Sequence, residues 1–176
     1  MLPYPDTFRQ VMGHFVTGVS VVTTYRDDGS GRPYGITVNA LTSVSLEPPL
    51  VMIAIGHGRR IEPHLRATGR FAVNVLAADQ QRLADCFAGA DLVPDREAFC
   101  GAEWSPGPTG LPLLAGAIAY LECTTVQVVS VGDHDLHIGR VDHLATVPDH
   151  GPPLLYYRRR YVRIEQATET PPEGRP

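Results

Sequence analysis

Three stretches of this 176-residue chain carry side chains whose types and spacing could do chemistry. The first is residues 35–50, which begin Gly35-Ile36-Thr37-Val38-Asn39-Ala40. Thr37 and Asn39 alternate with Ile36 and Val38 at strand period, so the polar pair should share a face. Thr42, Ser43 and Ser45 follow, and Pro48-Pro49 closes the run by withholding backbone donors. Short hydroxyls and an amide on extended backbone suit a flat, polar ring-and-phosphate ligand, bonding ring edges and phosphoryl oxygens without adding charge. The same residues also suit the solvent face of a sheet. The second stretch, Gly56-His57-Gly58-Arg59-Arg60, leads into a helix expected over 61–68, where two guanidiniums either hold an anion or are solvated. The third is Gly132-Asp133-His134, whose histidine is an ordinary turn residue unless a ligand lies over it.

Other chemistries lack their residues. No Lys occurs, which excludes a Schiff base. There is no P-loop, and Gly56-His57-Gly58 lacks the third glycine and the βαβ unit of a dinucleotide fingerprint. Ser20 lacks the second glycine of a nucleophile elbow. His134, His137 and His143, interleaved with Asp133, Asp135 and Asp142, do not make a compact zinc spacing, and no metal is expected. Arg158-Arg159-Arg160 reads as an exposed turn.

The elements that must position these groups are mostly strands. A short helix capped by Asp6 precedes strands at 19–25, 33–40 and 50–55, the last a continuous apolar run read as buried. The helix 61–68, a strand at 71–76 and a helix from Asp79 to Ala88 follow. Residues 89–116, rich in Gly and Pro, form a long excursion of the kind that serves as a lid or interface arm or stays mobile. Strands return at 118–131, 136–147, 154–157 and 161–164, and the tail from Ala167 reads as disordered. Many strands without βαβ alternation predict a mainly β, antiparallel barrel with peripheral helices.

Composition sets the frame: 43% hydrophobic and 19% charged residues suit one globular domain. A net charge of -4 argues against nucleic-acid binding. Three widely spaced cysteines fit a reducing cytoplasm better than a disulfide framework. Neither a signal peptide nor a membrane span is expected.

Several segments together resemble the short-chain flavin reductase family of the FMN-binding split-barrel fold, the reductase components of two-component flavin-dependent monooxygenases. They are Phe8 to Gly13, Thr17 to Thr24, Gly35 to Ala40, Thr42 to Val51, Phe71 to Leu76, Gly132-Asp133-His134 with Gly139, and Leu154 to Tyr157. The resemblance runs in order over residues 8–161. It implies a Greek-key split barrel over residues 1–166, and a homodimer with flavin in a groove at the barrel and interface. By the same resemblance Thr37, Val38, Asn39 and Ala40 line the ring and ribityl chain, and Ser43, Val44 and Ser45 continue the cradle. Arg59 and Arg60 hold the phosphate, although Gly58-Arg59-Arg60-Ile61 departs from the family's Ser-Arg-Thr-like run. In the Gly132-Asp133-His134 turn, His134 looks like the nicotinamide contact. The implied activity is NAD(P)H:flavin oxidoreduction, with NADH or NADPH as donor, FMN or FAD as acceptor, and reduced flavin passing to a partner monooxygenase. The alternative is a flavin carrier or sensor without pyridine-nucleotide turnover; the Gly132-Asp133-His134 turn favours the enzyme.

Overall fold

The structure is a computed structural model describing residues 4–89, 99–148 and 151–164. The chain runs α1 (Pro5–Met12), β1 (Thr17–Gly18), β2 (Ser20–Tyr25), β3 (Pro33–Val38), β4 (Leu41–Leu46), β5 (Pro49–Gly56), α2 (Glu62–Thr68) and β6 (Arg70–Val75). It continues through α3 (Gln81–Ala88), β7 (Trp104–Pro106), β8 (Pro112–Leu114), β9 (Ala119–Val131), β10 (His134–Thr146), β11 (Leu155–Tyr157) and β12 (Arg160–Val162). The tail expected to be disordered falls outside the described residues.

Seven strands form one antiparallel sheet in the order β3-β2-β6-β9-β10-β5-β4. β3 and β4 are its two edges, yet only Asn39 and Ala40 join them. Two extended residues reach about 7 Å, so the sheet must curl until its edges meet. This is the expected antiparallel barrel. The strand expected over 33–40 therefore stops at Val38, because Asn39 and Ala40 have to turn the corner. The Ala54 N–H donates to the Ala40 carbonyl at 3.1 Å and ties that corner to β5.

The barrel core packs Val22, Val38, Val51, Ile53, Ile55, Ile61, Leu65, Phe71 and Val73. β5 alternates within it, burying Val51, Ile53 and Ile55 while Met52 and Ala54 are half-buried, so it is not buried on both faces as its apolar run suggested. Each such fully buried side chain stabilises the fold by about 1.5–3 kcal/mol. Gly139 faces Phe71 so closely that a Cβ there would lie 2.6 Å from Phe71 Cζ.

The helices close the ends and one flank. α2 carries a proline in its first turn and stops at Gly69, whose φ of 62° makes the left-handed cap expected of it. α3 begins at Gln81 after Gln80, not at Asp79, and buries Ala84, Cys86 and Phe87. Asp6 lies inside the first turn of α1, which opens at Pro5 after Tyr4, and α1 buries none of its residues.

Residues 99–116 are docked rather than free. The Thr23 hydroxyl donates to the Pro112 carbonyl at 2.6 Å, and the Leu114 N–H donates to Asn74 Oδ1 at 2.8 Å. The buried Glu122 carboxylate accepts the N–H groups of Thr109 and Leu111 at 3.1 and 3.2 Å. A carboxylate taken out of water needs such donors, so this loop is fastened by what it satisfies. Cys86 and Cys100 form a disulfide, with Cα atoms 6.0 Å apart. This corrects the expectation from cysteine spacing: 14 positions separate them, and the folding of α3 against the 99–101 turn brings them together. Cys123 is free and buried, and burial pushes its thiol pKa up to about 12, so it is unreactive.

Candidate active site

The seam where the sheet's edges meet holds a cavity of about 230 Å³. Ile36 to Ala40 line one wall, Ala54, Ile55, Gly56 and Arg59 another, and Ala88 and His134 complete it. Among the described strands β3 pairs only with β2. Its outer edge therefore offers backbone N–H and C=O groups toward the seam that no ladder uses.

Thr37, Val38, Asn39, Ala40, Arg59 and His134 are thus gathered in one place, from sequence positions almost a hundred residues apart at the extremes. Their roles differ from a simple hydroxyl cradle. The Thr37 hydroxyl donates to the Ala84 carbonyl at 2.6 Å, so it holds α3 in place. Val38 is a core residue. Asn39 and Ala40 are exposed at the corner.

Ser43, Val44 and Ser45 lie on β4 and are not among the cavity's walls. A bulge between Ser43 and Ser45 breaks their register with β5, and Ser45 Oγ accepts the Glu47 N–H at 3.2 Å. Arg60 is exposed and also off the cavity. At the helix start itself, α2 is seven residues long and Glu62 in its first turn binds Arg66 at 3.0 Å. The Arg59 guanidinium is the cation that remains beside the cavity.

His134 opens β10 at the tip of the β9–β10 hairpin, after Gly132, whose φ of 60° makes the reversal possible. Its Nδ1 lies 2.7 Å from Asp133 Oδ1. This hydrogen bond holds the Asp133 carboxyl below the usual carboxylate range. An ionised carboxylate only accepts, so Nδ1 carries the proton, and Nε2 lies on the Gly56 side of the ring. The Asp133 carbonyl accepts the His57 N–H at 2.8 Å, which joins the hairpin tip to the Arg59 turn.

Sequence reasoning missed the groups beneath this rim. Asp135 is 1% exposed and accepts hydrogen bonds from Ser130, from Arg66 at 2.6 Å and from His57 at 3.3 Å. The Ser130 hydroxyl and then Arg66 hold its carboxyl far below the ordinary carboxylate range. The one signal available was alternation: on β10, Asp135, His137 and Gly139 all point inward. His137 is fully buried with neither ring nitrogen bonded, and burial lowers its pKa. Among the described residues no group of three His, Cys, Asp or Glu side chains could hold a metal ion. No described helix is long and apolar enough to cross a membrane.

A second, apolar groove of about 690 Å³ shares Asn39 and Ala40 with the cavity and is walled by Phe8, Met12, Phe15 and Val16. Ligand pockets commonly measure about 300–1,000 Å³; the seam cavity is smaller than that and the groove beside it falls within the range. Open strand edge, one cation and an imidazole fit a flavin bound by backbone and phosphate contacts.

The fold is a split β-barrel with a cavity at its seam. The chain belongs to the flavin reductase like domain family, whose model matches residues 12–165. It is 39% identical over 170 residues to an NADH-dependent flavin reductase of a Rhodococcus species, covering 97% of this chain and 92% of that one. It is 40% identical over 172 residues to the reductase subunit HsaB of a flavin-dependent monooxygenase of Mycobacterium tuberculosis (strain ATCC 25618 / H37Rv), covering 97% of this chain and 88% of that protein. The structure of Streptomyces globisporus C-1027 NADH:FAD oxidoreductase SgcE6, in complex with NAD and FAD fragments, matches with a TM-score of 0.83 and 36% identity. That match covers 96% of this chain and 99% of the other.

Proposed function

We propose that this chain is an NAD(P)H:flavin oxidoreductase that reduces FMN or FAD and supplies the reduced flavin to a separate monooxygenase. The convergence of Arg59, His134 and the open edge of β3 on one cavity carries this reading. A flavin and a reduced nicotinamide, when bound, would themselves supply the hydride-transfer chemistry. The chain's part is to hold two rings at reacting distance, for which orientation is the main lever. In this reading Arg59 pairs with the flavin phosphate and the backbone of 36–40 bonds the ring and ribityl chain. His134 Nε2 meets the nicotinamide, with Asp133 fixing the tautomer. Ser43, Val44, Ser45 and Arg60 have no contact in this reading.

The working unit is a homodimer. Phe8, Val11, Met12, Phe15 and Val16 are 49–69% exposed around the apolar groove, a patch that a second copy would cover. A cytoplasmic location suits an enzyme that draws on the cell's reduced nicotinamide.

The test is oxidation of NADH and NADPH by purified protein in air, with FMN, FAD or neither added. A rate that rises and saturates with added flavin supports the reductase and shows its flavin preference. No oxidation with either donor, despite bound flavin, makes it a carrier.

A further inference from the structure

We propose that Asp135 is a positioning residue of this reductase, a buried carboxylate that locks the hairpin carrying His134 to the turn and helix flanking Arg59. The proposal rests on the reading in which His134 meets the nicotinamide.

Three elements meet on this one side chain. Ser130, its register partner on β9, donates from within the hairpin. Arg66 donates from α2 at 2.6 Å and is itself held by Glu62 at 3.0 Å. His57 donates through Nε2 from the β5–α2 turn at 3.3 Å. An ionised carboxylate that is 1% exposed is tolerable only with donors of this kind. The three therefore hold one another through it.

The geometry turns this anchor toward the chemistry. Neighbours on a strand point to opposite faces, so β10 sends Asp135 into the barrel and leaves His134 at the rim. His134 and Arg59 belong to different elements, yet both converge over Gly56. Their spacing is set by whatever ties hairpin to turn. The β10–β5 ladder, which ends with His134 opposite Gly56, does so first, and two links extend it past the end of β5: the Asp135 carboxylate, and the His57 N–H bond to the Asp133 carbonyl at 2.8 Å. Loosening the carboxylate link lets the imidazole drift relative to the phosphate cation, and misplacement by about 1 Å can cost about a hundredfold in rate.

The test compares Arg66→Met and Asp135→Asn with His134→Ala, using the full chain with saturating flavin. The readouts are KM for NADH, kcat, and the kinetic isotope effect with NADH deuterated at the transferred position, alongside Tm. We expect Arg66→Met and Asp135→Asn to lower kcat/KM for NADH about tenfold or more and to raise the isotope effect, as alignment at hydride transfer worsens. A purely structural role would lower Tm and the active fraction and leave KM and isotope effect at wild-type values, and that result overturns the proposal. If Asp135→Asn does not fold, Arg66→Met decides alone, since it removes the donor on α2 and leaves Ser130 and His57 on the carboxylate. A His134→Ala enzyme with unchanged kinetics would remove the underlying reading, and the proposal with it. Sensitivity of His134→Ala with indifference of the other two defeats the positioning role only.

Discussion

His134 stands directly opposite Gly56 across the β10–β5 ladder, and a Cβ on Gly56 would lie 3.6 Å from His134 Nε2 and 3.7 Å from Arg59 Nε. Those are ordinary contacts, and Gly56 is not among the positive-φ glycines, so Gly56→Ala should fold at near wild-type stability. Gly56→Val, with two more methyl groups in the cavity, should weaken flavin or nicotinamide binding about tenfold or more, about 1.4 kcal/mol, readable by titration and KM. His134→Ala should lower turnover with NAD(P)H much more than flavin affinity.

Arg59 and Arg60 are adjacent in sequence but only Arg59 lines the cavity. Arg59→Ala should weaken flavin binding by about 1.5–3 kcal/mol, the size of a hydrogen bond to a charged group. Arg60→Ala should leave the flavin Kd unchanged. Equal losses in the two variants would place the phosphate elsewhere.

His137 predicts a pH dependence of stability. Burial lowers its pKa in the folded state, so the unfolded chain binds the proton more tightly. Its stabilising effect is then complete above the unfolded value of about 6.5 and is lost as pH falls from there toward the folded pKa. The Tm of the wild type should fall between about pH 7.5 and 5.5 more than that of His137→Leu, which also removes two unbonded buried nitrogens. Parallel Tm profiles for the two proteins would show that His137 is hydrated or bonded in solution.

The apolar rim around α1 predicts an assembly. Phe15 is 69% exposed in the single chain and lines the larger groove. Phe15→Asp should therefore keep the fold, shift light-scattering mass from dimer to monomer, and lower flavin affinity in step. A monomeric wild type would discard the dimer.

The Cys86–Cys100 disulfide closes a loop with a sequence separation of 14 onto α3, whose Ala88 reaches the cavity. Chain entropy gives such a cross-link about 3 kcal/mol. Reduction, or Cys100→Ser, should lower Tm by several degrees. A Tm unaffected by reductant would mean that the thiols are unpaired in solution.

Much of the barrel could be read from the chain because each strand declares itself locally: β-branched runs such as Val19 to Tyr25, alternation in Phe71 to Leu76, and turns marked by Gly or Asp. The site was readable in part. Thr37 to Ala40, Arg59 and His134 stood out by type and by family resemblance, and the structure brings them together. Ser43, Val44, Ser45 and Arg60 looked equivalent to them in sequence. Only the closure of the barrel, which puts the first set and not the second on the cavity wall, separates the two.

What the sequence determined by itself was the kind of most elements, though not the strands β4, β7 and β8, and the exclusion of lysine chemistry, because propensity, periodicity and residue type are local properties. Which edges meet was decided by tertiary structure, since β3 and β4 are two residues apart in sequence yet lie at opposite edges of the sheet. The same closure decided that Thr37 bonds α3, that Cys86 finds Cys100, and that Asp135 gathers Ser130, Arg66 and His57. A buried carboxylate takes its donors from whatever packs around it, and no local pattern in the chain names those neighbours.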